Sequence, residues 1–160
     1  MPARTVRAPR MTAFLLSIHV LAAILAVGPV AIAASMYPPA ARAAHQAPED
    51  ARRAATVQVL HRITRVYSVI ALFVPVFGLA TGATLGVLGD TWLIISMILT
   101  AAAAAVLIGL ILPGQRHLLI GHDEPAVRRL GMQTGIFNLL WAIVVVLMIY
   151  RPGSTTGAGS

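Results

Sequence analysis

The residue of this chain best suited to chemistry is His19, an ionisable side chain inside a long apolar run over residues 12–36. A run of that length predicts a membrane-spanning helix. Ala22, Ala23 and Ala26 follow at helical spacing, so we expect the imidazole and these small side chains to share one face that points into a helix bundle. An ionisable residue at that depth indicates function, and an imidazole could relay protons or bind a metal.

Met97 offers a second ligand for the same site, because it lies at a similar predicted depth in a later apolar run. A histidine with a methionine opposite it can hold haem iron. The alternative is a neutral imidazole that hydrogen bonds to Thr81, Thr84 or a backbone carbonyl. Since no second histidine lies at this depth, we expect no cofactor, and haem b or copper bound by His19 and Met97 is the alternative.

The other histidines lie near the opposite, arginine-rich ends of the apolar runs. His61, His117 and His122 therefore cannot share a cofactor with His19 across a membrane. The spacing from His117 to His122-Asp123 is compatible with a divalent metal but matches no known ligand signature. We interpret these side chains as solvated loop residues.

Glycines at every fourth position give the most specific packing signal. They are Gly78, Gly82 and Gly86 in one apolar run and Gly131 and Gly135 in another. Such small-residue steps let helix backbones approach closely in lipid. They serve either an interface with a partner or second copy, or packing within the chain's own bundle, and the second interpretation is the one we favour.

The composition indicates that membrane helices position these residues. The 160 residues are 58% hydrophobic and 11% charged, an apolar excess that a soluble domain could hardly cover with polar surface. Four uncharged runs are long enough to cross a hydrocarbon core of about 30 Å, which takes roughly 20 helical residues. The sequence therefore predicts an all-α fold, a polytopic membrane protein built as a four-transmembrane-helix bundle.

The predicted organisation is a basic segment, a membrane domain with four spans, and a flexible tail. Their ranges are residues 1–11, residues 12–151 with spans at 12–36, 66–88, 93–112 and 130–150, and residues 152–160. Tyr37 is expected at the membrane interface, with Pro38 and Pro39 ending the first span. Pro113-Gly114 is expected to end the third span, and Pro75 to kink the second.

Arginine supplies all twelve basic residues, and its distribution predicts the orientation. The two long loops and their flanks carry eight arginines and the side of the termini carries four. By the positive-inside rule, the loops of this multi-pass protein face the cytoplasm from the cell inner (plasma) membrane. The net charge of +7 points to anionic lipid headgroups and not to nucleic acid. The arginines expected to contact headgroup phosphates are Arg62, Arg65, Arg128 and Arg129.

No motif for a reaction is present. The chain has no cysteine, its predicted spans hold no Asp or Glu, and no hydrolase, phosphate-loop or zinc-protease pattern occurs. We therefore predict a non-enzymatic membrane protein, an accessory subunit of a respiratory-type membrane complex, whose partner is another membrane protein or a second copy. A small transporter is a further alternative, against which the uncharged spans argue.

Three short segments resemble a known family. They are residues 19–28 (HVLAAILAVG), residues 79–82 (LATG) and residues 147–153 (LMIYRPG). Their order and spacing are similar to a family of predicted integral membrane proteins of unknown function, itself distantly similar to copper-resistance D-type membrane domains. Where that family usually has a glycine pair, this chain has Gly28-Pro29. The resemblance implies a four-helix bundle without an assigned reaction.

Overall fold

Four helices of the computed structural model are long and apolar enough to cross a membrane. The structure describes residues 7–121 and 123–153, with side chains from Arg10 onward, and these residues contain no strand. The helices, called spans one to four, are Arg10–Gln46, Ala51–Leu85, Thr91–Ile120 and Glu124–Tyr150. The predicted all-α four-helix fold is confirmed. Residues 1–6 of the basic segment, His122, and residues 154–160 of the tail lie outside the described residues.

Three of the four spans are interrupted in the middle. Span one consists of α1 (Arg7–Ala22), a π-helical turn (Ala23–Val27) and α2 (Gly28–Gln46). Span two consists of α3 (Ala51–Ala71) and α4 (Phe73–Leu85). Span three consists of α5 (Thr91–Val106), a second π-helical turn (Leu107–Ile111) and α6 (Leu112–Ile120). Span four is one helix, α7 (Glu124–Tyr150). The break at Leu72 agrees with the predicted kink, because Pro75 has no N–H for the carbonyl four residues earlier.

The prediction that prolines end the first and third spans is wrong. Pro38 and Pro39 lie inside α2, which continues to Gln46, and Pro113 lies in the first turn of α6, where a missing N–H is tolerated. Tyr37 is fully buried, not interfacial, so packing against neighbouring spans outweighs the hydrogen bonds that the prolines remove. The predicted loops are therefore mostly helical, and only residues 47–50 and 121–123 connect the spans on that side.

Local capping explains where the helices begin and end. Asp50 Oδ1 accepts hydrogen bonds from the backbone N–H of Arg52 (3.0 Å) and Arg53 (3.4 Å), which starts α3. Asp123 Oδ1 accepts from the N–H of Ala126 (3.3 Å) and starts α7 in the same way. Gly86 ends α4 with φ of 71°, a left-handed conformation that glycine adopts without strain.

The spans form a ring in which each contacts its chain neighbours and span one also contacts span four. The α2 segment packs on α3 and α7, α1 packs on α4, and α5 packs on α7. Small and aliphatic residues such as Val30, Ala34, Ala103 and Leu130 fill the core between them. Many large apolar side chains remain exposed around the outside, as a surface in contact with lipid requires.

The end of the bundle that carries the Gly89-Asp90 turn is closed by Trp92. Its indole N–H donates to Asp90 Oδ2 (3.0 Å), and the guanidinium of Arg151 lies 5.5 Å from the ring centroid. A cation over an aromatic face is attracted by the ring quadrupole. These contacts hold the start of span three beside the end of span four.

Single-cysteine labelling should place the connections before and after span three on opposite sides of the membrane. Because the chain has no cysteine, one thiol introduced by Gly89→Cys or Gly121→Cys reports only its own position. We expect an impermeant maleimide to label position 121 from the cytoplasmic side and position 89 from the opposite side. A thiol introduced at position 47 should be labelled from the same side as position 121. Labelling of positions 89 and 121 from the same side would contradict the four-span arrangement.

Candidate functional site

His19 points into the bundle, as the alanine pattern predicted. The side chain is 7% exposed, and its Nδ1 lies 2.9 Å from the backbone carbonyl oxygen of Val74 in span two. Since a carbonyl only accepts, Nδ1 carries the hydrogen and donates it. Of the predicted partners of His19, a backbone carbonyl is therefore the one observed. The bond ties α1 to α4.

Met97 is not among the buried residues of span three, so the predicted His19–Met97 ligand pair gains no support and stays a prediction. Met97 is 42% exposed on the outside of span three, whereas Trp92, Leu93 and Ser96 are the buried residues of that helix. The prediction used the depth of Met97 along its span and not the face of its helix. Among residues 7–121 and 123–153, no group of three or more His, Cys, Asp or Glu side chains could hold a metal ion.

The glycines of span two have two different roles. A Cβ added at Gly78 would lie 2.9 Å from His19 Cε1, and one at Gly82 would lie 3.0 Å from Leu93 Cδ2. Both glycines therefore permit close packing inside the bundle. Gly86 differs from the prediction: a Cβ there would meet no described atom within 4 Å, and the residue serves as the left-handed end of α4.

Gly131 and Gly135 lie on the outside of span four, which differs from the predicted packing within the bundle. A Cβ added at either would meet no atom of the described residues within 4 Å. Asn138 follows on the same side at helical spacing, and its Nδ2 donates to Ser35 Oγ of span one (3.0 Å). We call Ser35, Gly131, Gly135 and Asn138 the seam between spans one and four.

The amide of Asn138 is only partly satisfied at the seam. Its Oδ1 has no hydrogen-bond partner in the part of the chain that the structure describes. Ser35 is exposed and Asn138 half-buried, so a polar pair lies at the surface of an apolar bundle. Hydrocarbon offers no hydrogen bonds to such groups. The seam therefore combines room for a close backbone approach with polar groups that lipid cannot satisfy.

A buried polar network around Gln115 joins three spans and was missed from the sequence. Tyr37 donates to the backbone oxygen of Gln115 (2.7 Å), and His61 Nδ1 lies 2.9 Å from Gln115 Oε1. Gln115 Nε2 donates to Thr64 Oγ1 (3.3 Å), which donates to the carbonyl of Leu60 (2.9 Å). Gln115 is fully buried. Gln115 of α6 therefore contacts α2 through its backbone carbonyl and α3 through its side-chain amide.

The predicted headgroup arginines lie on the surface of spans two and four. Arg62, Arg65, Arg128 and Arg129 are all exposed. His117 Nε2 lies 3.7 Å from Asp123 Oδ2, a contact between two well-exposed side chains. Contact with headgroups stays a prediction for the four arginines.

A small cavity lies where the three interrupted spans meet. Its lining includes Val27 and Leu107 from the two π-helical turns, Leu72 from the break in span two, and the hydroxyl-bearing residues Ser68 and Thr100. The volume is about 40 Å³. Both hydroxyls already donate to the carbonyl four residues earlier in their own helices. The cavity has room for a water molecule or two but not for a haem.

No known protein family, curated protein or solved structure matches the chain. The resemblance to the membrane family related to copper-resistance D-type domains therefore stays a prediction.

Proposed function

We propose that the chain is a non-enzymatic membrane subunit that associates laterally with another membrane protein along the seam. The carrying observation is the Ser35–Asn138 pair, which lies at the surface beside the open Gly131 and Gly135. A second protein that covers this surface can offer the exposed Ser35 hydroxyl a hydrogen-bond partner that lipid lacks, and the glycines allow its helix to approach closely.

An accessory role in a larger membrane complex, of the respiratory type, fits the rest of the bundle. The buried hydroxyls of Thr64, Ser68 and Ser96 donate to carbonyls of their own helices, and the imidazole of His19 donates to Val74. These polar groups are engaged in structural bonds. The exposed polar pair of Ser35 and Asn138 is lateral, which supports a role in assembly over a role in chemistry.

Cross-linking from the seam tests the proposal. A photo-crosslinker attached to the thiol of Gly135→Cys in native membranes should give an adduct with a different membrane protein. Gly109→Cys is the matched control, because Gly109 is also helical and open but lies on span three. Adding Gly131→Leu should reduce the adduct from position 135 roughly tenfold, since bulk at the seam keeps a partner helix away.

Two results would contradict the proposal. Equal adducts from positions 135 and 109 would indicate random encounters in the membrane. An adduct with a second copy of the chain alone would replace the accessory subunit by a homo-oligomer.

A further inference from the structure

A basic groove opens on the surface where the start of span four meets the end of span one. Its lining consists of Arg42, Glu124, Pro125, Arg128, Arg129 and Met132, and its volume is about 560 Å³. Three arginines and one glutamate give the lining a net charge of +2. The groove therefore favours an anionic ligand.

Arg42 is held at this groove by Glu124. Its Nε donates to both carboxylate oxygens of Glu124, at 3.2 and 3.4 Å. Both bonds leave from Nε, so the terminal nitrogens of the guanidinium keep their hydrogens for a ligand. In the part of the chain that the structure describes, neither Arg128 nor Arg129 forms an ion pair. Guanidinium groups whose N–H hydrogens are available in this way bind phosphate through paired hydrogen bonds.

The chemistry of the groove changes from charged to apolar along span four. Met132, one turn after Arg128 and Arg129, is 64% exposed, and Gly131 and Gly135 leave open space beside it. A ligand with a charged end and a hydrocarbon end matches this order of side chains. A free phosphate ion would use only the arginines.

We infer that the groove of Arg42, Arg128 and Arg129 is a binding site for an anionic phospholipid, whose phosphate contacts the arginines while an acyl chain lies over Met132. The site does not depend on the proposed partner. Such a site is distinct from the general attraction of exposed arginines to a negative membrane surface. Arg62 and Arg65, which lie on another span and outside the groove, should contribute only to that general attraction.

The test uses the full chain in a neutral detergent, titrated with fluorescent phosphatidylglycerol and, separately, phosphatidylcholine. We expect phosphatidylglycerol to bind more tightly. The double variant Arg128→Gln/Arg129→Gln should weaken its binding roughly tenfold or more. The control Arg62→Gln/Arg65→Gln removes the same charge from exposed positions outside the groove and should change the affinity about twofold at most.

A variant that binds more tightly provides a further test, because misfolding would lower the affinity and not raise it. Glu124→Gln removes the negative charge that repels phosphate but keeps an amide oxygen that can accept from Arg42 Nε, so phosphatidylglycerol should bind severalfold more tightly. An unchanged or weaker affinity in this variant would count against the site.

Two further outcomes would overturn the inference. An equal loss of affinity in the groove and control double variants would reduce the effect to surface electrostatics. Displacement of phosphatidylglycerol by inorganic phosphate at a similar concentration would mean that the groove recognises the free anion, and the acyl chain would have no part in binding.

Discussion

Replacing Gly78 by valine is expected to lower the stability of the bundle by about 3 kcal/mol, at the upper end of the cost of overpacking a core. A Cβ at this position would lie 2.9 Å from Cε1 and 3.3 Å from Nδ1 of His19. The ring cannot move away without losing its hydrogen bond to the carbonyl of Val74. Thermal unfolding of the purified chain in detergent measures the loss.

The matched control is Gly109→Val, which adds the same side chain to a helical glycine whose Cβ would meet no described atom within 4 Å. A second arm combines Gly78→Val with His19→Ala. Because valine can occupy space that the imidazole leaves, the double variant should be more stable than the sum of the single losses predicts. Equal losses at positions 78 and 109, or strict additivity in the double variant, would show that Gly78 and His19 do not contact each other.

Replacing Gln115 by alanine should cost roughly 2–5 kcal/mol, because the change leaves a cavity in the core and removes partners from buried polar groups. Gln115 has no exposed surface, and its side chain bonds His61 and Thr64. Thr64 keeps its bond to Leu60, so the loss falls mainly on the N–H of His61. Chemical or thermal unfolding in detergent measures the effect.

Two further variants separate packing from hydrogen bonding at this position. Gln115→Met keeps most of the volume and removes only the side-chain bonds, so we expect a smaller loss of about 1–2 kcal/mol. Gln58→Ala makes the same change as Gln115→Ala at an exposed position of span two and should be near neutral. If Gln115→Met is as stable as the unaltered chain, the side-chain hydrogen bonds of Gln115 contribute nothing to stability.

The number of spans and the inward direction of His19 could be predicted because both depend on local pattern. Span length follows from the thickness of a bilayer, and the alanines after His19 mark the face that packs. The same pattern could not place Met97, because its depth says nothing about which side of span three is buried. Trp92 and Ser96, at helical spacing in the same span, mark the buried side and could have been used to assign it.

The ends of spans one and three could not be predicted, because contacts between distant residues decide them. Pro38 and Pro39 favour a helix end locally. Tyr37 nevertheless donates to Gln115, 78 residues away in the sequence, and this core contact keeps α2 helical. The network around Gln115 was missed for the same reason. Its one local signal is a glutamine two residues before His117 in a stretch that resembles a charged loop.

The helices that run past Pro38 and Pro113 also determine what a molecule in the adjoining aqueous compartment would meet. Span one, with 37 residues, is about 55 Å long at about 1.5 Å per residue, against a hydrocarbon core of about 30 Å. We expect span one to extend beyond the hydrocarbon core and the connection at residues 47–50, which carries Glu49 and Asp50, to lie in the aqueous compartment. A protein that binds there would meet a helix start that Asp50 already caps, and complex formation would lose little conformational entropy at these residues.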